Sequence, residues 1–309
     1  MRTGAVPWRG HGSTIGDLET VRKLAKRTPD GPPPPPVVQR LRIRYAKRGR
    51  LRFTSHRDIQ RAFERALRRA RVPMAYSAGF TPHPRISWAG AAPTGTASEA
   101  EYVEIGVAER VEPDRLREHL DASLPPDLDI LEIVEAATPS LVDRLEASVW
   151  RIELPEVGPD EARAAADAFL QAESAEVERL TKSGMRSFDA RSAVVSLTVE
   201  DGASKDGHKT RSSACAILRV VVRHTTPAVR PDDVLTALGS VGGLVPPVTP
   251  RVTRLAQGPL ALPTAAPDAP GDGSDAGTGA WPVADPMTPD RSASANSGPP
   301  SIGTPVCGV

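Results

Sequence analysis

Aromatic residues are scarce in this chain, 4% of 309 positions, and there are only two cysteines. Two cysteines make neither the disulfide framework of a small secreted domain, nor a zinc knuckle, nor the ligand set of an iron–sulfur cluster. Cys215 sits in the apolar run Ala214-Cys215-Ala216-Ile217-Leu218, where an inert buried thiol is expected, and Cys307 lies in the tail. No stretch approaches the ~20 consecutive apolar residues of a membrane helix. Arg2 and Arg9 are followed by no apolar run, so no secretory signal is expected and the expected compartment is the cytoplasm. The chain also lacks a Walker loop, a GxGxxG opening a helix after a strand, a nucleophile elbow and any His/Cys metal spacing. A conventional NTPase, Rossmann dehydrogenase or elbow hydrolase is disfavoured, and neither metal nor cofactor is expected.

Proline (32) and glycine (25) are plentiful, but they concentrate outside the periodic segments. Residues 1–38 end in the run Pro32 to Pro36, a stiff polyproline II spacer, after a thin amphipathic stretch at 15–27. Residues 256–309 are rich in Pro, Gly, Ala, Ser and Asp and have nothing to bury against the cost of ordering a backbone, so disorder is expected there.

Between these ends the hydrophobic period alternates between two and 3.6. Leu41, Ile43 and Tyr45 alternate with Arg40, Arg42 and Arg44, predicting a half-buried strand with a basic open face. Ile59, Ala62, Phe63, Ala66, Leu67 and Ala70 recur at helical spacing, and Pro73 closes that helix. Strands at 85–89 and 101–107, a helix at 113–120 and a strand at 128–135 complete a first round, 39–138. A second, more divergent round, 139–255, reads as a strand near Val149 to Leu154, a helix at 161–172, strands at 176–181, 194–199 and 215–222, a helix at 231–238 and a strand near Val252. The fold class is therefore α+β, and the ordering matches a tandem ferredoxin-like (split βαβ) sandwich with disordered N- and C-terminal extensions.

The formal net charge is +1, yet residues 40–71 carry thirteen Lys or Arg against Asp58 and Glu64 alone. That stretch is +11 and the remainder −10, an asymmetry that suits a polyanionic partner, although an Arg-rich genome could also write solvated arginines. Ser55 with Asp58 fits a capping box, which places His56 at the first helical position. There the helix dipole favours a neutral imidazole, able to act as a general base, metal ligand or RNA contact, or simply to pack the entrance. With the apolar stripe inward, Arg57, Arg61, Arg65 and Arg68 form one outer row beside Arg42, Arg44, Lys47, Arg48 and Arg50. Thr81 and His83 each precede a proline, so a stiff loop should present Phe80, His83 and Arg85 for stacking or phosphate contact, unless it only rigidifies a crossing. Glu99 and Glu101 fall on one face of a strand, available for acid–base work or, more simply, for ion pairs with nearby arginines. Asp189 and Arg191 are a weaker signal of the same kind.

The words at 41–49, Phe53-Thr54-Ser55-His56-Arg57-Asp58, 63–70, Gly79-Phe80-Thr81-Pro82-His83-Pro84, Gly95 and Ser98-Glu99-Ala100-Glu101-Tyr102 closely resemble the bacterial family of radical-SAM-linked (radical-SAM-associated) proteins, a domain of unknown function. The resemblance spans roughly 40–255 and is most specific in its first 70 residues. Arg57 departs from it, standing where the family usually has an aliphatic residue. The resemblance implies a domain encoded beside, or fused to, a radical-SAM enzyme, near genes of RNA processing. This chain lacks the cluster cysteines, so it resembles the separate accessory half. The tandem ferredoxin-like reading is also similar, at the level of fold alone, to RNA-binding proteins of CRISPR systems.

The leading expectation is an accessory protein that binds tRNA or rRNA, or presents substrate, for a separately encoded radical-SAM enzyme. The alternatives are an RNA-processing or RNA-modifying enzyme using His56 or His83 with Glu99 or Glu101, and a protein-only scaffold docking an acidic partner.

Overall fold

The period-two pattern at Leu41, Ile43 and Tyr45 makes β1 (Gln39–Lys47), and the 3.6-residue pattern beyond it makes α1 (His56–Arg69). The structure is a computed structural model describing residues 34–181, 184–202, 214–261 and 282–296. The stretch at 15–27 and Cys307 lie outside the described residues. The first round continues as β2 (Ile86–Ala89), β3 (Ala97–Val107), α2 (Pro113–Asp121) and β4 (Leu128–Glu135). The second runs β5 (Ala147–Pro155), α3 (Pro159–Gln171), β6 (Glu176–Thr181), β7 (Gly184–Asp189), β8 (Val194–Asp201), β9 (Cys215–Arg223), α4 (Pro231–Gly242) and β10 (Arg251–Gly258).

Strands of the first round pair in the order β4-β1-β3-β2, those of the second in the order β10-β5-β9-β8. Numbered within each round, both orders are 4-1-3-2 with antiparallel neighbours, the split βαβ arrangement given twice. The protein is therefore α+β, as the alternating periods predict. The sheets join through a parallel contact between β3 and β10 of two residue pairs, Thr253 with Ala97 and Arg254 with Ser98. The hairpin β6–β7 is an insertion, and β7 had no apolar alternation to announce it.

One face of the joined sheet carries the helices. Ile59, Phe63, Ala66 and Leu67 of α1 pack on Leu41, Ile43, Tyr45, Val103 and Ile105, while α3 and α4 cover Trp150, Ile152, Leu154 and Leu218. Burying Phe63 fully is worth roughly 1.5–3 kcal/mol, which fixes the rotation of α1 about its axis. The opposite face is covered in part by residues 282–296, against the expectation of a structureless tail. Val283 and Met287 bury there, and α5 (Thr288–Asn296) lays Asp290 on the sheet. This segment can order because its few apolar residues meet a prepared apolar face and its acids meet arginines. β10 likewise runs past 255, to Gly258. Among the described residues no helix is long and apolar enough to cross a membrane.

Candidate nucleic-acid interface

Ser55 caps α1 by accepting the Asp58 N–H at 3.3 Å, and its hydroxyl donates to the Asp58 carboxylate at 2.7 Å. The acid thus answers the cap hydroxyl rather than the cap N–H of a standard box. From this fixed start the helical period carries Arg57, Arg61, Arg65 and Arg68 to the exposed side, with Arg69 beside them. Arg61 makes a surface pair with Asp58 at 3.3 Å; among the described residues Arg57, Arg65 and Arg68 make none. Arg50 is exposed in the short 3-10 turn before the helix.

The rest of the expected patch is rearranged. β1 lies between two other strands and, Arg40 apart, is buried or half-buried on both faces, so its arginines do not form a continuous open basic face. Arg42 is 2% exposed and held by Asp290 and Glu104. Lys47 is buried, its Nζ reaching the carbonyls of Ala92 and Pro93 at 3.4 and 3.3 Å. Burial holds its ammonium pKa below the ordinary lysine value, with Glu101 opposing and Arg254 reinforcing the shift. Arg48 is neutralised by Glu99 and Asp129, and Arg44, half-buried, bonds the Glu99 carbonyl and approaches Asp285 at 3.8 Å.

The loop before β2 does present its side chains: Phe80 is 70% exposed, and His83 and Arg85 are exposed with it. His83 and Arg85 line a cleft of about 550 Å³ with Arg40, Ser77 and Glu104. By strand alternation Arg40 and Glu104 lie on the sheet face opposite α1, so the loop and the arginine row are separate surfaces.

The four acid–base candidates do not converge either. Three steps of β3, from Ser98 to Glu101, span two steps of β1, and this bulge breaks the alternation that would have put Glu99 and Glu101 on one face. Glu99 turns to Arg48, and Glu101, 2% exposed, pairs with Arg254 and accepts the Ala92 N–H at 3.1 Å. His56 is half-buried with its ring edge-on to Trp88, centroids 5.3 Å apart, and Nε2 3.1 Å from the Gln60 amide. Its pKa lies below the ordinary histidine value, as the helix position suggests, but burial is the leading cause, opposed by Glu101 and aided by Lys47.

Sequence reading missed the groups that complete the buried network on the helix side of the β3–β10 seam. Arg254 is held there by Glu101, Ser98, Gln257 and the Gly90 carbonyl. Val252 and Arg254 share a strand face, so the period-two pattern already pointed Arg254 inward. Near the same seam, His224 Nδ1 lies 2.7 Å from the Leu145 carbonyl and Nε2 2.6 Å from Ser148 Oγ. A carbonyl only accepts, so Nδ1 carries the proton and Nε2 accepts from the serine. Burial lowers the pKa of His224, with Arg254 adding to it against the Leu145 bond.

Both histidines therefore favour neutrality in the folded state, and as pH falls the unfolded chain, with pKa near 6.5, takes protons first. The free energy of unfolding is expected to decline from about pH 7 to about pH 5, and His224→Gln should flatten part of that slope. Urea titrations at three pH values read it; a wild-type stability flat across the window contradicts the assignment.

No curated protein matches the chain. Residues 40–231 match the model of the family DUF2344, described as uncharacterized protein conserved in bacteria. That match covers more than half of the sequence and includes both the cap of α1 and the arginine row, so the chain belongs to this uncharacterised bacterial family.

Proposed function

We propose that the protein binds RNA, tRNA or rRNA, through the outer face of α1, as an accessory to a separately encoded radical-SAM enzyme. The observation that carries the RNA reading is the row Arg57, Arg61, Arg65 and Arg68, exposed along one helix face with three of the four unpaired among the described residues. Steps of three or four residues separate its guanidinium stems by about 4.5–6 Å along the axis, a spacing that lets successive phosphates be met without distorting the helix. The stiff loop with exposed Phe80 adds a surface on which an unpaired base can stack. The radical-SAM partnership rests on the family resemblance of the words around Ser55 and Pro82, and on the cysteine count.

An enzymatic role for the same residues has less support. His56 is engaged by Gln60 and Trp88, and Glu101 by Arg254, so neither stands ready to move a proton in a shared cavity.

Fluorescence anisotropy of labelled tRNA, titrated with full-length protein between about 50 and 200 mM salt, tests the reading. Four phosphate contacts predict a slope near −3 in log affinity against log salt, a loss of roughly fifty- to hundredfold across that range. Absent binding, or affinity indifferent to salt, overturns it. Capture of a radical-SAM enzyme that survives nuclease treatment would instead favour the protein-only scaffold.

A further inference from the structure

The most heavily subscribed polar site among the described residues lies on the sheet face opposite the arginine row. Its centre is the carboxylate of Asp290, 0% exposed. Oδ1 accepts from Arg42 Nη1 at 2.7 Å, Thr138 Oγ1 at 2.7 Å, and the backbone N–H groups of Ala137 and Thr138, each at 3.0 Å. Oδ2 accepts from Arg42 Nη1 at 2.6 Å and Arg144 Nη2 at 3.1 Å. Burial alone would raise this carboxyl's pKa, but the bonds from Thr138, Arg42 and Arg144 outweigh it and hold the group below the usual carboxylate range.

The donors exceed what a carboxylate can use. A carboxylate offers about four directed lone pairs, and five donor atoms converge on this one, with Arg42 Nη1 shared between both oxygens and Thr138 Oγ1. At the same time Nε and Nη1 of Arg144 are buried with no hydrogen-bond partner among the described residues. Two guanidiniums, a hydroxyl and two converging N–H groups suit an anion with three acceptor oxygens in place of two, which is a phosphate group. The cradle is also rigid. Arg42 is fixed by Glu104 at 3.0 Å and by the carbonyls of Thr138 and Pro139 at 2.7 and 2.5 Å.

Receptor and occupant have different standing in the chain. Arg42, Ala137, Thr138 and Arg144 lie within the residues matched by the family model, whereas Asp290 lies beyond them. Asp290 arrives on the segment 282–296, anchored by Met287, by Val283 and by Arg291 bridging Glu132 and Asp285. We infer that Arg42, Arg144, Thr138 and the Ala137 and Thr138 N–H groups form a phosphate-binding site, which the C-terminal segment occupies in cis through Asp290. While the segment is docked, its acids also neutralise Arg42 and Arg44; its release adds these cations to the surface.

Chemical rescue tests the site without any RNA. Full-length Asp290→Ala is expected to melt below wild type in chloride. Sodium phosphate at matched ionic strength should raise its midpoint by roughly 5–10 °C when phosphate is near a hundred times its dissociation constant. The wild type, its site filled, should not respond beyond the general effect of the salt, and Arg144→Ala added to the variant should abolish the rescue. Formate should restore less than phosphate. A variant indifferent to phosphate, or rescued as well by formate, overturns the inference. So does failure of both Asp290→Ala and the milder Asp290→Asn to fold in phosphate. A parallel titration with a short RNA in chloride, without phosphate, assigns the source: tighter binding by Asp290→Ala than by wild type, lost again when Arg144→Ala is added, makes the RNA backbone the phosphate donor, and equal binding makes it a free phosphate or small monoester. Because the thermal arm uses inorganic phosphate alone, its failure is distinct from failure of the RNA reading.

Discussion

Arg254→Ala, with Glu101 left in place, is expected to destabilise the protein by about 3–5 kcal/mol, the cost typical of stranding a buried charge. Arg254 and Glu101 are each 3% exposed at their side chains, and their pairing is the only ion pair Glu101 makes among the described residues. Without the guanidinium, Glu101 keeps the Ala92 N–H at 3.1 Å, while Ser98, Gln257 and the Gly90 carbonyl each lose a donor at once. The packing of the guanidinium on the Trp150 ring, 5.5 Å to its centroid, goes as well. These losses fall where the backbone is weakest, because β3 and β10 share only two residue pairs and the side-chain network spans the rest of the seam. Removing both charges together, Arg254→Met with Glu101→Gln, should cost clearly less than Arg254→Ala, since no buried charge is then left alone. Urea unfolding of the three chains reads the comparison. A loss under about 1 kcal/mol for the single change, or a double change costing as much as the single one, contradicts a closed, mutually dependent pair.

How much of this the sequence disclosed depends on how far apart the partners are. The elements were legible because each is written locally: the stripe from Ile59 to Leu67, the Ser55 cap, the alternation in β1, the prolines that open α2, α3 and α4. From the order of those elements the doubled 4-1-3-2 pairing followed, and so did the outward row of α1. What stayed hidden was the fate of Arg42, Lys47, Glu101 and Arg254. An arginine alternating with leucine and isoleucine is indistinguishable, within its own strand, from one facing water. Arg42 is buried because an acid 248 positions away reaches it, and Glu101 because an arginine 153 positions away does. Asp290 carried little signal: Thr288-Pro289-Asp290 can open a helix, but no apolar stripe follows it, and only Met287 stands three residues before. β7 and the bulge in β3 were equally silent, since both are set by the register of a neighbour and not by the period of their own residues.

Replacing Arg57, Arg61, Arg65 and Arg68 together by alanine should leave the fold intact and weaken tRNA binding by roughly a hundred- to a thousandfold at ~100 mM salt, while flattening the salt slope by about 3. The fold should survive because all four side chains are exposed and alanine is the best helix former, so helix propensity, if anything, rises. The stripe that seats α1 is untouched: Phe63 keeps Tyr45 at 5.0 Å and Trp88 at 5.3 Å between ring centroids. Arg61 should contribute least of the four, because Asp58 already neutralises it in part, and Arg61→Ala alone should change affinity less than Arg65→Ala or Arg68→Ala. Arg163→Ala is the matched control; its arginine is on α3, in the second round, and is already paired with Asp160 and Asp201. If the fourfold variant binds tRNA with unchanged affinity and slope, the helix face is not the interface. Arg40 and Arg85, which line the cleft on the other sheet face, then become the cations to change next. If instead affinity falls while the slope holds, the row acts on the shape of the complex and not through phosphate neutralisation, since every arginine that pairs with a phosphate releases counterions, and deleting it must lower the slope by that share.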